Sequence, residues 1–356
     1  MSKSNDEIIF ISSLLPNATS ISLLRAFKKR EEYKIKIISD VKNSEFPEAI
    51  IEKGFFDVRK YVNTKLSLVL FVEGGTFQLF PMFIDKVATK TAWYGIDTHT
   101  NFEKHKAISR AFDFSFIAQK EYVEKLKSYC SSSIHWLPLG FDNTNTKKDT
   151  DPQIQNDIAF VGSTEKLLHP TRVKLIDIIN QYNFRKFFGK TSMREMYNIY
   201  KNSHCVFNYS INNDLNMRVF EAIGNGALLF TNEIRNNGLE DLFEEGSDYV
   251  IFAEKTFRED LERLINNLNK YKSMRQDRIQ KVERLHTYDH RMKELVKTIK
   301  ITELKKEKLS ETQDHFDYIR IAFLNGAYKI SLQLLLDILI AKTQKKSLRI
   351  LRKYFI

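Results

Sequence analysis

Short apolar runs alternate with longer amphipathic stretches through the first half of the chain. Residues 7–12 (EIIFIS) read as a strand, followed by a loop and a helix over about 20–29. Residues 33–39 (YKIKIIS) form a second strand and 67–72 (SLVLFV) a third, after which Glu73-Gly74-Gly75 opens the next helix. Residues 91–96, 114–118 and 134–137 add three short strands, separated by helices over about 102–112 and 120–129. Strand and helix alternating at this spacing predict an α/β fold, a parallel sheet covered on both faces.

Residues 143–156 (NTNTKKDTDPQIQN) hold one large apolar residue and read as a linker between a first domain, 1–142, and a second, 157–300. The second series starts with the strand DIAFVG at 157. It continues with a helix at 170–182, a short strand at 184–188, a helix at 192–201 and a strand at 249–252, and long helices run to about 300. Two Rossmann-like halves joined in this way leave a cleft between them. The tail, 301–356, carries only helical patterns, at 314–325 and 330–342, and ends in the basic amphipathic QKKSLRILRKYFI. It is either a membrane-surface element or a helical pair packed on the second domain or on a partner chain.

Composition narrows the class. Of 356 residues 42% are apolar and 28% charged, as in a soluble globular protein, and no apolar run approaches the roughly 20 residues that span a bilayer. The start, MSKSNDEIIFISS, lacks a secretory signal pattern. Cys130 and Cys205 give neither a disulfide framework nor metal spacing. Both observations point to the cytoplasm. The net charge of +11 calls for an anionic partner: nucleotide phosphates, anionic lipid or nucleic acid. No helix-turn-helix, aromatic–basic strand motif or zinc signature supports nucleic acid.

Residues 208–231, NYSINNDLNMRVFEAIGNGALLFT, concentrate the candidate chemistry. An apolar run, a polar loop, a helix-like segment, Gly-Asn-Gly and a second apolar run make a strand–loop–helix–turn–strand unit. Asp214, Arg218 and Glu221 are spaced i, i+4, i+7, as if on one helical face. A carboxylate at a sheet's carboxyl edge suits the diol of a ribose. Arg218 either neutralises a diphosphate or pairs with Asp214 or Glu221. Asn213, Asp214 and Asn216 are good helix N-caps as well as donor-site candidates.

From DLNMRVFEAIGNGALLFTNEIRNNGLEDLFEEG the sequence resembles the group-1 glycosyltransferases of the GT-B architecture, with closest likeness to the branch typified by spore maturation glycosyltransferases. LVLFVEGG, SFIAQKEYVEKL, IHWLPLGFD, DIAFVGS and HTYDHRMKEL match in the order that branch expects, over about residues 65–295. The resemblance implies two Rossmann-like domains facing a cleft. The second grips a nucleotide-diphosphate sugar and the first offers the acceptor pocket. In that superfamily two carboxylates seven residues apart flank the donor. Glu221 matches the ribose-binding one, and the shorter Asp214 stands at the other. The lack of an Asp-x-Asp motif in a strand-end loop points to transfer without a metal or other cofactor, helped by cationic side chains. The resemblance implies retention of configuration; an inverting path needs a base, for which Asp97, His99 and Glu73 are candidates.

Further donor-side candidates are Gly162 and Ser163, whose backbone N–H groups follow the strand DIAFV and can meet a phosphate. Lys166 and Arg172 lie where related enzymes hold the leaving diphosphate. Asn237 and Gly238 sit in a turn near the donor in those enzymes; the turn alone also explains them. On the first domain, Asp97 and His99 occupy a strand-end loop, for proton transfer or sugar contact. Glu73 ends a strand and serves as a base, an acceptor ligand or a helix cap. The expected partners are a nucleotide sugar and a glycan, lipid or protein acceptor, with a membrane-surface or protein contact through the 301–356 tail. The expected location is the cytoplasm, at the inner membrane face if the tail docks there. The rival from another class is a non-catalytic sugar-nucleotide-binding subunit docked by its tail.

Overall fold

The computed structural model describes residues 6–16, 18–63, 66–74, 79–130, 132–145, 152–303 and 311–343. The chain divides into two compact units, Met1–Leu137 with Met292–Ile356, and Pro138–Arg291.

The first unit is built on a seven-stranded, wholly parallel sheet. Its strands are β1 (Asp6–Ile11), β2 (Tyr33–Ser39), β3 (Ile50–Ile51), β5 (Leu66–Val72), β7 (Lys90–Gly95), β8 (Phe114–Ile117) and β9 (Ser133–Trp136). They lie in the order β3-β2-β1-β5-β7-β8-β9. β4 (Gly54–Asp57) and β6 (Leu79–Met82) form a separate parallel pair. LSLVLFV and its neighbours are near-continuous apolar runs because both sheet faces are covered, and Val69, Phe71, Trp93 and Ile117 are buried. The strand order reverses between β1 and β5, the point at which open α/β sheets take ligands at their carboxyl ends.

Two differences from the sequence reading stand out here. After Glu73-Gly74 the next described element is the strand β6, where a helix is expected; residues 75–78 lie outside the described set. The helical tail packs on the first unit, not on the second. Glu311–Leu324 lies against Thr98–Ala111, with Arg110 Nη1 3.2 Å from Asp317 Oδ1 and Tyr318 against Phe80 and Phe83. Its basic end, 344–356, lies outside the described residues. Among the described residues no helix is long and apolar enough to cross a membrane.

The second unit carries a five-stranded parallel sheet of β10 (Asn156–Val161), β11 (Lys186–Gly189), β12 (Ser203–Asn208), β13 (Leu228–Asn232) and β14 (Tyr249–Phe252). The order is β11-β10-β12-β13-β14, with the switch point between β10 and β12. Phe160, Phe207, Phe230, Phe252 and Phe257 fill one face. This unit begins at Pro138 rather than at 157 and closes at Arg291 rather than at 300. Backbone pairing explains the shift: Phe141 N donates to His286 O at 2.8 Å and Tyr288 N to Phe141 O at 3.1 Å. Phe141 also presses on Gly224, where an added Cβ would come within 2.6 Å of its ring.

Candidate functional site

At the β10/β12 switch point two arginines bridge the ends of the two strands. Arg218 Nη2 donates to the Val161 carbonyl at 3.0 Å and Nη1 to Asn208 Oδ1 at 2.7 Å. Arg172 Nη1 donates to Ser163 O at 3.3 Å and Nη2 to Tyr209 O at 3.4 Å. Both guanidinium groups lie over the Phe160 ring, at 4.5 Å for Arg218 and 5.3 Å for Arg172. Among the described residues neither has a carboxylate within ion-pair distance, and the Nε of each is buried with no hydrogen-bond partner. Burial, then the neighbouring Arg218, brings Arg172 down to about 10, still cationic at neutral pH. Two uncompensated cations with spare donors form a site for a polyanion.

Local sequence explains how they get there. Pro170 pre-sets the first turn of the helix Pro170–Asn180, from which Arg172 projects. Gly162 leaves room: a Cβ there would meet Phe160 Cζ at 2.8 Å and Arg218 Nη2 at 2.9 Å. The Ser163 carbonyl is held by Arg172, and its Oγ accepts from Glu165 N at 3.4 Å. Lys166 is exposed, and among the described residues no hydrogen bond or ion pair joins it to the two arginines.

Glu221 lies within the helix Met217–Gly224, 6% exposed, with no hydrogen bond to its carboxylate among the described residues. Burial pushes its carboxyl up to about 7; Arg218 opposes the shift and buried Asp142 reinforces it. The helix starts at Met217, so Asp214 sits in the preceding loop and does not share a helical face with Arg218 and Glu221. Asn216 holds the N-cap position without a side-chain cap bond. Its Nδ2 donates instead to Asn208 Oδ1 at 3.3 Å.

The remaining candidates on this unit tie two loops together. Asn213 exchanges two hydrogen bonds with the Arg235 backbone, at 2.6 and 2.7 Å. Asn237 Nδ2 donates to Asn213 O at 2.6 Å, and Asn232 exchanges two bonds with the Ser210 backbone, at 2.6 and 3.0 Å. Asn213 adopts a φ of 62°, which Asn tolerates better than most residues. Gly238 precedes the short helix Leu239–Leu242. These amides are engaged with backbone, so they shape the rim of the site.

On the first unit Glu73 is buried beneath the turn that leads into Thr98–Ala111. Its Oε2 accepts from Ile96 N at 2.5 Å and Asp97 N at 3.0 Å, and its Oε1 lies 3.3 Å from His105 Nε2. Burial works against ionisation here, yet His105 and the two N–H groups hold the carboxyl below the usual carboxylate range. A carboxylate so engaged is a poor base, and it caps the Thr98–Ala111 turn rather than a helix following Glu73. His105 also bonds Thr98 Oγ1 at 2.9 Å and meets Trp93 edge-on. Asp97 occupies the N-cap position without a side-chain cap bond, half-buried, and His99 falls in the first helical turn rather than in a strand-end loop.

Sequence reasoning missed His105 and Asp142. The seven-residue spacing of Thr98 and His105, which puts both on one helical face, was a usable signal for the first. Nothing local marks Asp142. Among the described residues no group of three or more His, Cys, Asp or Glu side chains could hold a metal ion.

Residues 157–297 match a family model described as glycosyl transferase-like. Sucrose-phosphate synthase from Thermosynechococcus elongatus is similar in structure, with a TM-score of 0.57 at 10% identity, covering 83% of this chain and 98% of that one. An alpha-glucosyltransferase in complex with UDP-glucose and DNA containing an abasic site gives 0.56 at 12% identity, covering 83% and 99%. HepE from Anabaena in complex with UDP-glucose gives 0.56 at 10% identity, covering 83% and 100%. A sequence search of curated proteins gives no match. The fold is the GT-B architecture of glycosyltransferases, two Rossmann-like domains with a helical C-terminal region.

Proposed function

We propose that this chain is a glycosyltransferase that takes a sugar from a nucleotide-diphosphate sugar and passes it to a glycan, lipid or protein acceptor. We place it in the spore-maturation-like branch of the GT-B enzymes, working without a metal and with retention of configuration. The observation that carries the reading is the pair Arg172 and Arg218, bridging the β10/β12 switch point with no acid within ion-pair distance among the described residues. The diphosphate sits between them, and their charge stabilises it as it departs, where negative charge develops in the transition state. Glu221 in its ionised form accepts from the ribose hydroxyls. Asp97 and His99 serve the acceptor side, on a turn that Glu73 holds in place. UDP-glucose in two of the similar structures supports uridine as the first base to test.

Thermal shift and donor hydrolysis with uridine, guanosine and deoxythymidine diphosphate sugars test the reading, with and without EDTA. Stabilisation and turnover that survive EDTA are expected. A second reading, a non-catalytic sugar-nucleotide-binding subunit docked by its tail, draws on the engagement of Glu73, which leaves the first unit one fewer free base. Asp97→Asn with His99→Ala separates the two. Lost turnover with binding retained supports the enzyme, whereas a wild-type chain that binds and never turns over supports the subunit.

A further inference from the structure

Opposite the edge that carries Glu73 and Asp97, the amino-terminal edge of the first unit's sheet presents a groove of about 380 Å³. Arg30 and Tyr33, at the entry to β2, form one wall, and the last turns of the helix Tyr288–Ile301 form the other. Lys293, Lys297 and Lys300 follow one another at i, i+4, i+7 and so share a helical face. Lys300 has an acid partner, Asp6 at 3.8 Å. Arg30, Lys293 and Lys297 have none within ion-pair distance among the described residues, and Glu32 is the one acid in the lining. Met292, Val296 and Ile301 give the groove an apolar floor, and Ile301 is 69% exposed.

We propose that this groove is a docking surface for anionic phospholipid, which seats the chain peripherally on a membrane. A cationic rim over an apolar floor matches an amphiphilic anion: phosphate to the lysines and Arg30, glycerol and upper acyl chain to Val296 and Ile301. A small soluble anion uses the rim alone and leaves Ile301 in water. Tyr33, with an apolar ring and a polar tip, is a side chain suited to that boundary. The groove stands apart from the carboxyl edge, so docking leaves the turn bearing Asp97 open. The proposal needs neither the basic end of the chain nor the donor reading.

Sedimentation with vesicles tests it, using phosphatidylcholine alone and phosphatidylcholine with about a third phosphatidylglycerol or phosphatidylserine. Binding to the anionic vesicles and not to the neutral ones is expected, weakened by salt. Each basic residue near such a surface contributes on the order of fivefold in partitioning, so Lys293→Glu with Lys297→Glu lowers it by on the order of 25-fold or more. Ile301→Ser lowers it with the charge unchanged. The same charge change on the second unit, Lys255→Glu with Lys270→Glu, leaves it near wild type. Circular dichroism confirms that each variant is folded. Unchanged binding in the Lys293/Lys297 variant overturns the proposal, as does equal loss in the Lys255/Lys270 control. Full competition by millimolar inorganic phosphate also overturns it, because it makes the site one for a free anion.

Discussion

Arg218 donates to Asn208 Oδ1 at 2.7 Å, joining the helix that carries Glu221 to the end of the neighbouring strand β12. That bond fixes a cation at the switch point of the second sheet without neutralising it, since Asn208 carries no charge. Nη2 is anchored on the Val161 carbonyl as well, and these bonds limit the rotamer entropy still to be lost when an anion binds.

Loss of this cation should show in diphosphate affinity. Charge-assisted hydrogen bonds contribute about 1.5–3 kcal/mol each, so Arg218→Ala should weaken binding of the preferred nucleoside diphosphate by roughly ten- to a hundredfold. Arg172→Ala should do likewise, and Arg172→Lys should restore only part, because a lysine cannot reproduce the fork. Isothermal titration on the folded variants is the check; unchanged affinity in both alanine variants would remove the diphosphate from this site.

Gly162→Ala probes the same place sterically. The new methyl would stand 2.8 Å from Phe160 Cζ and 2.9 Å from Arg218 Nη2. Phe160 is held in the core, so the guanidinium is the group that gives way. Nucleotide binding should fall several-fold, with stability reduced by about 1–3 kcal/mol. Urea unfolding and titration of one preparation read both quantities.

Glu221 predicts a pH signature. Its folded carboxyl titrates near 7 against an ordinary 4.5, so between these values the folded chain holds more protons than the unfolded one. Stability therefore falls as pH rises through that window, and the buried charge costs up to about 3 kcal/mol above it. Glu221→Gln should melt higher than wild type at pH 8 and equally at pH 5. Donor affinity should run the other way, strengthening as pH rises through 7 in the wild type because ribose hydroxyls donate to the ionised acid. The Gln variant should lose that dependence. Melting curves and titrations at pH 5, 6, 7 and 8 decide it.

In the first unit, His105→Ala leaves Glu73 buried without its imidazole partner, its charge still met by the Ile96 and Asp97 N–H groups. Breaking such a pair by removing one partner costs about 3–5 kcal/mol. His105→Ala paired with Glu73→Gln should recover much of that loss. If the double variant is no more stable than the single, the Glu73–His105 contact is not what holds the turn.

Much of the fold was legible because the strands are apolar runs set between turn residues: 33–39 and 249–252 are found where the pattern puts them. β3, β4 and β6 escaped because two to four residues cannot show a period, and Pro81 argues against a strand by itself. Arg172, Arg218 and Glu221 were legible as residue types beside strand ends, while their bridging of β10 and β12 is tertiary. The partners of Asn213 and Asn237 were not legible for the same reason: a local turn signal does not reveal which distant backbone an amide will bond. Glu73 and His105 belong to different elements, and only the folded sheet brings them together.

The most direct measurement is calorimetric titration of the wild type and of Arg218→Ala with UDP, GDP and dTDP at pH 8 in EDTA. The expected result is binding of at least one of the three by the wild type, weakened tenfold or more in the variant. A folded wild-type chain that binds none of them, or binds with an affinity indifferent to Arg218, would contradict a donor diphosphate held at the β10/β12 switch point.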